Sequence, residues 1–354
     1  MSKMKVLIVD DSKMIREWLT QLVESDPELS VIGTAVDPYE ARSLIKKSNP
    51  DVILLDIIMP KMDGITFLKR IMHLHPIPVV MISSLTETGS VVALEALSSG
   101  AIDYFPKPSK KEYEDFEDYR NKLILTIKNA ARSNIKRTFT SNLAKRKIEH
   151  IVYHSDLLKK IVIAIGSSTG GIEAVEEILS NLPKTFPPIV LVQHLHVELS
   201  SAFVSRMNKI VKNLKVKLAK NNEEIVPGCV YLAPSHMHLC IHEAQNKFIV
   251  CFQDIAPVHG NKPSIDVLFS SLAHSVANNA VGILLSGRGE DGAAGAKEIH
   301  DAGGVIIAQD KESSVVWDIP EAAVKQNVVD YVKPLSEISE TLFSVLDNIA
   351  QKRL

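Results

Sequence analysis

Apolar residues in this chain gather into short runs that end on polar or glycine-rich positions, at 6–9, 52–55, 79–82 and 104–106 in the first third. Between those runs, apolar positions recur at helical spacing. Short continuous runs read as strands buried on both faces, and the intervening stretches read as amphipathic helices. This rhythm persists to residue 131, with a last helix predicted over 114–131, and it predicts a doubly wound α/β domain. It resumes at 161–165, 189–192, 230–232, 281–285 and 305–308, with helical stretches between most runs. A second α/β domain with a mostly parallel sheet is therefore expected. No short-period repeat is present.

The stretch between the two domains differs in kind. From residue 132 to 149 there are six basic side chains (Arg132, Lys136, Arg137, Lys145, Arg146, Lys147) against one acid, with few large apolar residues. Such a segment predicts a solvated linker. The boundaries drawn from the sequence are 1–125 for the first domain, 126–156 for the linker and 157–354 for the second domain.

Length and charge narrow the classes. A chain of 354 residues has room for two domains with ordinary cores. A formal net charge of −2 argues against nucleic-acid binding as the main activity. Cys229, Cys240 and Cys251 show no paired metal-binding spacing, so reduced, buried thiols are expected. No run approaches the roughly 18 apolar residues of a membrane span, and no signal peptide fits the start. A cytoplasmic protein, not itself a membrane protein, is expected.

Candidate chemistry sits where the runs end. Asp10 and Asp11 close the first run, Asp56 the second, Ser83 the third, and Lys107 follows the fourth. In an open parallel sheet these ends share one crevice. Three carboxylates crowded there suit a hard divalent cation such as Mg2+. The cation and the lysine ammonium would offset the charge of a phosphoryl group arriving at one carboxylate. A helix cap is the other reading of Asp10-Asp11-Ser12.

In the second half, the run 161–165 ends in Gly166-Ser167-Ser168-Thr169-Gly170-Gly171, a Gly-x-Ser-x-Gly pattern before a helix. A turn of that kind exposes the Ser168 hydroxyl above a sheet and aims helix-terminal N–H groups at what it attacks. A plain helix cap and a phosphate cradle also fit these residues. His194 follows the run 189–192, and Asp291 lies just beyond 281–285. A serine nucleophile needs a histidine base, and a carboxylate can hold that imidazole in one tautomer. The chain order Ser–His–Asp differs from the Ser–Asp–His order of lipase-type α/β-hydrolases. His196 and His238 read as surface or lining residues.

Residues 4–125 resemble the response-regulator receiver family, through Leu55-Asp56-Ile57-Ile58-Met59-Pro60-Lys61-Met62-Asp63-Gly64, the Asp10-Asp11 pair, Ser83, Tyr104 and Lys107-Pro108. The resemblance implies a flavodoxin-like fold with Asp56 as phosphoryl acceptor. It also implies Mg2+ held by Asp10, Asp11, Asp56 and the carbonyl of Ile58, and Ser83, Tyr104 and Lys107 as switch residues. The peptide bond after Lys107 would be cis. Residues 157–350 resemble the catalytic domain of the chemotaxis protein-glutamate methylesterases, through 164–171, Gln193-His194, Tyr231-Leu232-Ala233-Pro234, 263–269 and 289–292.

That second resemblance implies Ser168, His194 and Asp291 as catalytic residues, with the backbone N–H groups of Thr169 and Arg288 around the oxyanion and no cofactor for the hydrolytic step. The implied substrates are glutamate methyl esters, and glutamines, on chemoreceptor cytoplasmic helices, and the implied phosphodonor is a chemotaxis histidine kinase. In this arrangement the unphosphorylated receiver restricts access to the catalytic domain. Two positions depart from the family pattern. Arg288 replaces a methionine, and Leu195-His196-Val197-Glu198 replaces a Met-Pro-Pro-like turn. A receiver-controlled binding protein that has lost catalysis is the alternative these departures leave open.

Overall fold

The computed structural model describes residues 3–83, 87–107, 116–133, 135 and 158–351. The chain divides into two compact units, Met1–Lys136 and Arg137–Leu354.

In the first unit, strands β1 (Met4–Val9), β2 (Leu29–Ala35), β3 (Val52–Asp56), β4 (Val79–Ser83) and β5 (Asp103–Pro106) form one sheet in the order β2-β1-β3-β4-β5. Every pairing is parallel. Parallel neighbours need crossovers, here helices α1 (Lys13–Glu24), α2 (Pro38–Ser48), α3 (Gly64–Leu74) and α4 (Glu87–Leu97), with α5 (Phe116–Arg132) closing the unit. Helices on both faces bury the strands twice over, which is why β1, β3 and β4 are apolar without alternation. Each fully buried Val, Leu or Ile in them contributes about 1.5–3 kcal/mol.

Local sequence places the helix starts. Ser12, Asp37 and Asp63 each accept amide hydrogens of the first turn, and Pro38 sits where no amide partner is needed. Helix α5 runs past the boundary drawn at residue 125 and buries Ile127 and Ala130. Its inward face follows the 3.6-residue period beyond the point where the composition turns basic. Most of the basic segment 132–149 lies outside the described residues, as does the peptide bond to Pro108.

In the second unit, β6 (Val162–Ser167), β7 (Ile189–Gln193), β8 (Lys215–Leu218), β9 (Cys229–Leu232), β12 (Ala280–Leu284), β13 (Val305–Gln309) and β14 (Tyr331–Lys333) form a seven-stranded sheet. Its order is β14-β13-β12-β6-β7-β9-β8 and all its pairings are parallel. The chain enters at β6, builds toward β8, then returns to add β12, β13 and β14 on the other side. The order therefore reverses between β6 and β12, and a crevice opens there at the carboxyl ends. The covering helices are α6 (Gly171–Ser180), α7 (Ser200–Ile210), α8 (Ile265–Ser275), α9 (Ala293–Asp301), α10 (Asp318–Lys325) and α11 (Leu335–Gln351).

Two strands and a hairpin of this unit were not legible as runs. Strands β8 and β14 are short edge strands, and β10 (His238–Ala244) pairs with β11 (Lys247–Gln253) as a separate antiparallel hairpin. The hairpin packs Leu239, Ile241 and Val250 into the same core as α8. Its register sets Cys240 opposite Cys251, and the two sulfurs are bonded. This corrects the expectation of three reduced thiols, because a cross-strand pairing 11 residues apart leaves no spacing signal. Cys229 is free and partly buried.

Candidate functional site

The end of β1 and the end of β3 adjoin in the first sheet, so Asp10 and Asp56 face one another across its switch point. Carboxylate oxygens of Asp10, Asp11 and Asp56 lie within 4.8 Å of one another. Asp10 and Asp56 are buried and Asp11 is exposed. Lys107 inserts its ammonium between the buried pair, 2.7 Å from Asp10 Oδ2 and 2.9 Å from Asp56 Oδ2. Burial works against the charge on Lys107, but the two ion pairs outweigh it and raise its pKa.

Asp56 is treated differently. Burial raises its pKa and the Asp10 charge adds to that rise, while Lys107 and the Ile58 amide pull against it. The balance lies at about 6. Asp10 Oδ1 accepts the Ser12 amide at 2.9 Å, whereas buried Asp10 Oδ2 has the lysine ion pair and no hydrogen bond of regular geometry. An all-oxygen cluster with one such underused oxygen fits a hard divalent cation.

The remaining sequence candidates converge on the same edge. The Ser83 carbonyl accepts the Tyr104 hydroxyl at 2.9 Å and the Lys107 amide at 2.9 Å, tying the ends of β4 and β5 together. Tyr104 is buried, with its ring inward. Gly64 approaches so closely that a Cβ there would stand 2.1 Å from the Asp56 carbonyl oxygen. Lys61, at φ 68°, reaches back to Asp37. The loop after Asp56 is thus pinned at both ends.

In the second unit the switch point holds Ser168. Its amide donates to the Ser286 carbonyl at 3.1 Å across the β6–β12 crevice, and its own carbonyl accepts from Gly171 at 2.9 Å as helix α6 begins. Gln193 clamps the same turn: its Nε2 donates to the Ser168 carbonyl at 2.8 Å and its Oε1 accepts from Ser167 Oγ at 2.5 Å. Gly287 packs against the Ser168 turn, and a Cβ there would lie 2.9 Å from Ser168 Cβ. Ser286 Oγ donates to the Thr169 carbonyl at 2.8 Å, and Gln309 Oε1 accepts the Ser286 amide at 2.8 Å.

His194 follows β7, and its amide donates to the Ser167 carbonyl at 3.0 Å. His194 Nε2 lies 3.0 Å from Asp291 Oδ2. An ionised carboxylate only accepts, so this bond puts the ring proton on Nε2 and leaves a lone pair on Nδ1. Asp291 is fully buried. Three further donors hold it: Ser264 Oγ at 2.7 Å, the Ile265 amide at 2.9 Å and the Asp266 amide at 3.0 Å. Burial acts to raise its pKa, yet the bonds from His194, Ser264 and Asp266 prevail and hold it below the usual carboxylate value.

His238, expected as a surface or lining residue, has no exposed area. Its strand begins only after the Pro234 turn and carries no apolar run before it, so nothing local marked it as interior. His196 is exposed, as expected. Arg288 is half-buried, between buried Gly287 and exposed Gly289. Ser264, Gln193, Ser286 and Gln309 support the site through bonds that sequence reasoning did not assign. Ser264 did carry a signal, as a serine one residue before a helical stretch.

An α/β sheet with serine, histidine and aspartate at its switch point, preceded by a five-stranded unit with an acidic cluster at its own, defines the class of receiver-linked hydrolases. The chain belongs to the CheB methylesterase family: that family's model matches residues 163–342, and the response regulator receiver domain model matches residues 6–113. A protein-glutamate methylesterase/protein-glutamine glutaminase of Hydrogenovibrio crunogenus is 41% identical over 98% of this chain and 100% of its own length. One of the same description from Nitrosomonas europaea is 39% identical over 98% of this chain and 97% of its own. The crystal structure of the Thermotoga maritima CheB methylesterase catalytic domain, 33% identical, superposes on 53% of this chain and 98% of its own at a TM-score of 0.51. Among the described residues, no helix is long and apolar enough to cross a membrane.

Proposed function

We propose that this protein is a phosphorylation-activated protein-glutamate methylesterase and protein-glutamine glutaminase acting on chemoreceptors, with Ser168, His194 and Asp291 as its catalytic residues. The observation that carries this reading is the His194–Asp291 bond at 3.0 Å, which leaves Nδ1 basic at a switch point that also presents Ser168. Relatives of nearly the same length bear that enzymatic description, which favours turnover over a binding-only role for the Arg288 form.

Ser168 Oγ attacks the ester carbonyl carbon while His194 Nδ1 takes its proton. The backbone N–H groups of Thr169 and Arg288 stabilise the oxyanion. His194 then protonates the leaving oxygen, methanol departs, and the acyl chain stays on Ser168. Water attacks that acyl carbon with His194 again as base, and the ester to Ser168 breaks to release glutamate. A glutamine substrate follows the same course, with ammonia as leaving group.

Control falls to the first unit, residues 1–125 as first drawn and extended by helix α5, joined to the second through the basic segment. A chemotaxis histidine kinase transfers a phosphoryl group to Asp56. Mg2+, when bound by Asp10, Asp11, Asp56 and the Ile58 carbonyl, supplies charge neutralisation at the acceptor. Lys107 holds the acceptor carboxylate in place, and Ser83 and Tyr104 respond to the new charge. The site of action is the cytoplasm. A shift from a mostly restrained to a mostly active catalytic unit needs only a few kcal/mol of differential stability.

The deciding measurement is methanol release from methylated receptor membranes, with and without a small-molecule phosphodonor and Mg2+. Release that depends on Ser168 and rises with the phosphodonor is expected. No release by the wild type, where a known esterase works on the same membranes, refutes the proposal.

A further inference from the structure

We infer that His238 is a positioning residue for the hydrolytic site, acting through the backbone of Ser264 on the cradle that aligns Asp291 with His194. The inference rests on the hydrolase reading above. His238 Nδ1 lies 3.1 Å from the Ser264 amide nitrogen, and Nε2 lies 3.2 Å from the Ala256 carbonyl oxygen. An amide only donates and a carbonyl only accepts. The ring must therefore carry its proton on Nε2 and keep a lone pair on Nδ1, the neutral tautomer. Burial, with the Lys262 cation nearby, pushes the His238 pKa below its usual value and agrees with that form.

The two bonds grip opposite ends of one loop. Ala256 lies near its start and Ser264 at its close, and Lys262 adds a second tie to Asp254 at 2.5 Å and to the Ile255 carbonyl at 3.0 Å. Where the loop ends, helix α8 begins with Ser264 as its cap. Ser264 Oγ accepts the Val267 amide at 3.4 Å and donates to Asp291, so its hydroxyl has one orientation. The Ser264 side chain and the next two amides are three of the four donors that fix Asp291. His238 thus secures the first residue of that cradle through its backbone. It touches neither substrate nor the reacting atoms.

Removing its acceptor would leave a buried Ser264 amide without a partner. The turn must then rearrange to satisfy it, and Asp291 would move with the turn. Displacements of about 1 Å in a catalytic constellation cost up to ~100-fold in rate. The two ring nitrogens make different bonds, so substitutions that mimic one or the other isolate the contact to Ser264. Asparagine places an acceptor where Nδ1 stands, whereas glutamine places its amide where Nε2 stands.

The test uses the full chain, activated by phosphodonor and Mg2+, on methylated receptor membranes over a range of concentrations. His238→Gln is expected to lower kcat about ten- to a hundredfold with KM nearly unchanged, and His238→Asn to stay within about threefold of wild type. Ser264→Ala, which keeps the backbone bond to His238 and loses the hydroxyl, is expected to lower kcat as well. Independently of turnover, the downfield proton resonance of the His194–Asp291 bond is expected in wild type and His238→Asn and displaced in His238→Gln. Equal kcat for the Asn and Gln variants, or an unmoved resonance in His238→Gln, overturns the inference. Absence of Ser168-dependent release by wild type instead refutes the hydrolase reading, and the resonance still decides the role of His238.

Discussion

The two units place a buried aspartate at the same point of the same kind of sheet and treat it in opposite ways. Asp56 and Asp291 both stand where the strand order reverses, at carboxyl ends of parallel strands. Asp291 is surrounded by four donors and sits below its usual pKa. Asp56 shares one lysine with a second carboxylate, and its pKa is raised to about 6. A saturated carboxylate has no free lone pair to react and can only orient its neighbour. An undersatisfied one remains available as a nucleophile and gains from a cation. Saturation, rather than position in the fold, is what differs between the two aspartates.

The strongest way to break the comparison is at Ser168. Ser168→Ala is expected to remove at least ~10^4-fold of kcat while leaving phosphorylation of Asp56 intact, measured as methanol release against phosphoryl incorporation. Residual turnover near wild type would mean that Asp291 orients nothing of consequence.

Asp291→Asn comes next. It removes an acceptor for His194 Nε2–H and offers its neighbours an amide, so the wrong tautomer becomes available. A loss of about 10^3-fold or more in kcat is expected, with KM little altered. The depressed pKa of Asp291 adds a stability consequence. A carboxyl with a lowered folded-state pKa contributes stability above its unfolded value, and that contribution disappears as pH falls through the folded value. Asp291→Asn should therefore lower the melting temperature at pH 7, with the gap narrowing in acid.

Gly287→Ala tests the close approach beside the nucleophile. The added methyl meets Ser168 Cβ at 2.9 Å and Ile319 Cδ1 at 2.5 Å. Overpacking of this kind costs about 1–3 kcal/mol and should shift the nucleophile, lowering kcat roughly tenfold. An unchanged rate would show that the turn tolerates displacement.

Asp56→Asn sharpens the contrast from the other unit. Stimulation by phosphodonor should vanish, read as the ratio of methanol release with and without it. In EDTA the variant should also melt higher than wild type at pH 7–8. The sign follows from the raised pKa: between the unfolded value near 4 and the folded value near 6, the native state holds a proton that the unfolded chain has released. Wild-type stability therefore falls with rising pH through that window, and the asparagine avoids a loss of up to about 3 kcal/mol. The difference should close below pH 4. An opposite sign would show that Lys107 satisfies Asp56 fully.

Much of this molecule was legible without coordinates, for a physical reason. Parallel strands buried on both faces must be apolar throughout, so each appears as a run, and in such sheets the chemistry collects at the run's end. Asp10, Asp56, Ser83, Ser168 and His194 all mark such ends, and Asp291 follows one within a few residues. Edge strand β8 alternates lysine with apolar residues and β14 is only three residues long, so neither makes a run, and the β10–β11 hairpin was masked by its charged and histidine positions.

The sequence by itself determined the two α/β units and which polar residues stand at the ends of their strands, because periodicity and run ends are local properties. Only the tertiary structure decided the state of those residues. The partners of Asp291 lie 25–27 residues away at Ser264, Ile265 and Asp266 and 97 away at His194. The bond between Cys240 and Cys251 and the burial of His238 likewise depend on a hairpin register and a packed loop. Hydrogen-bond saturation is a sum over neighbours brought from distant parts of the chain, and no window along the sequence contains it.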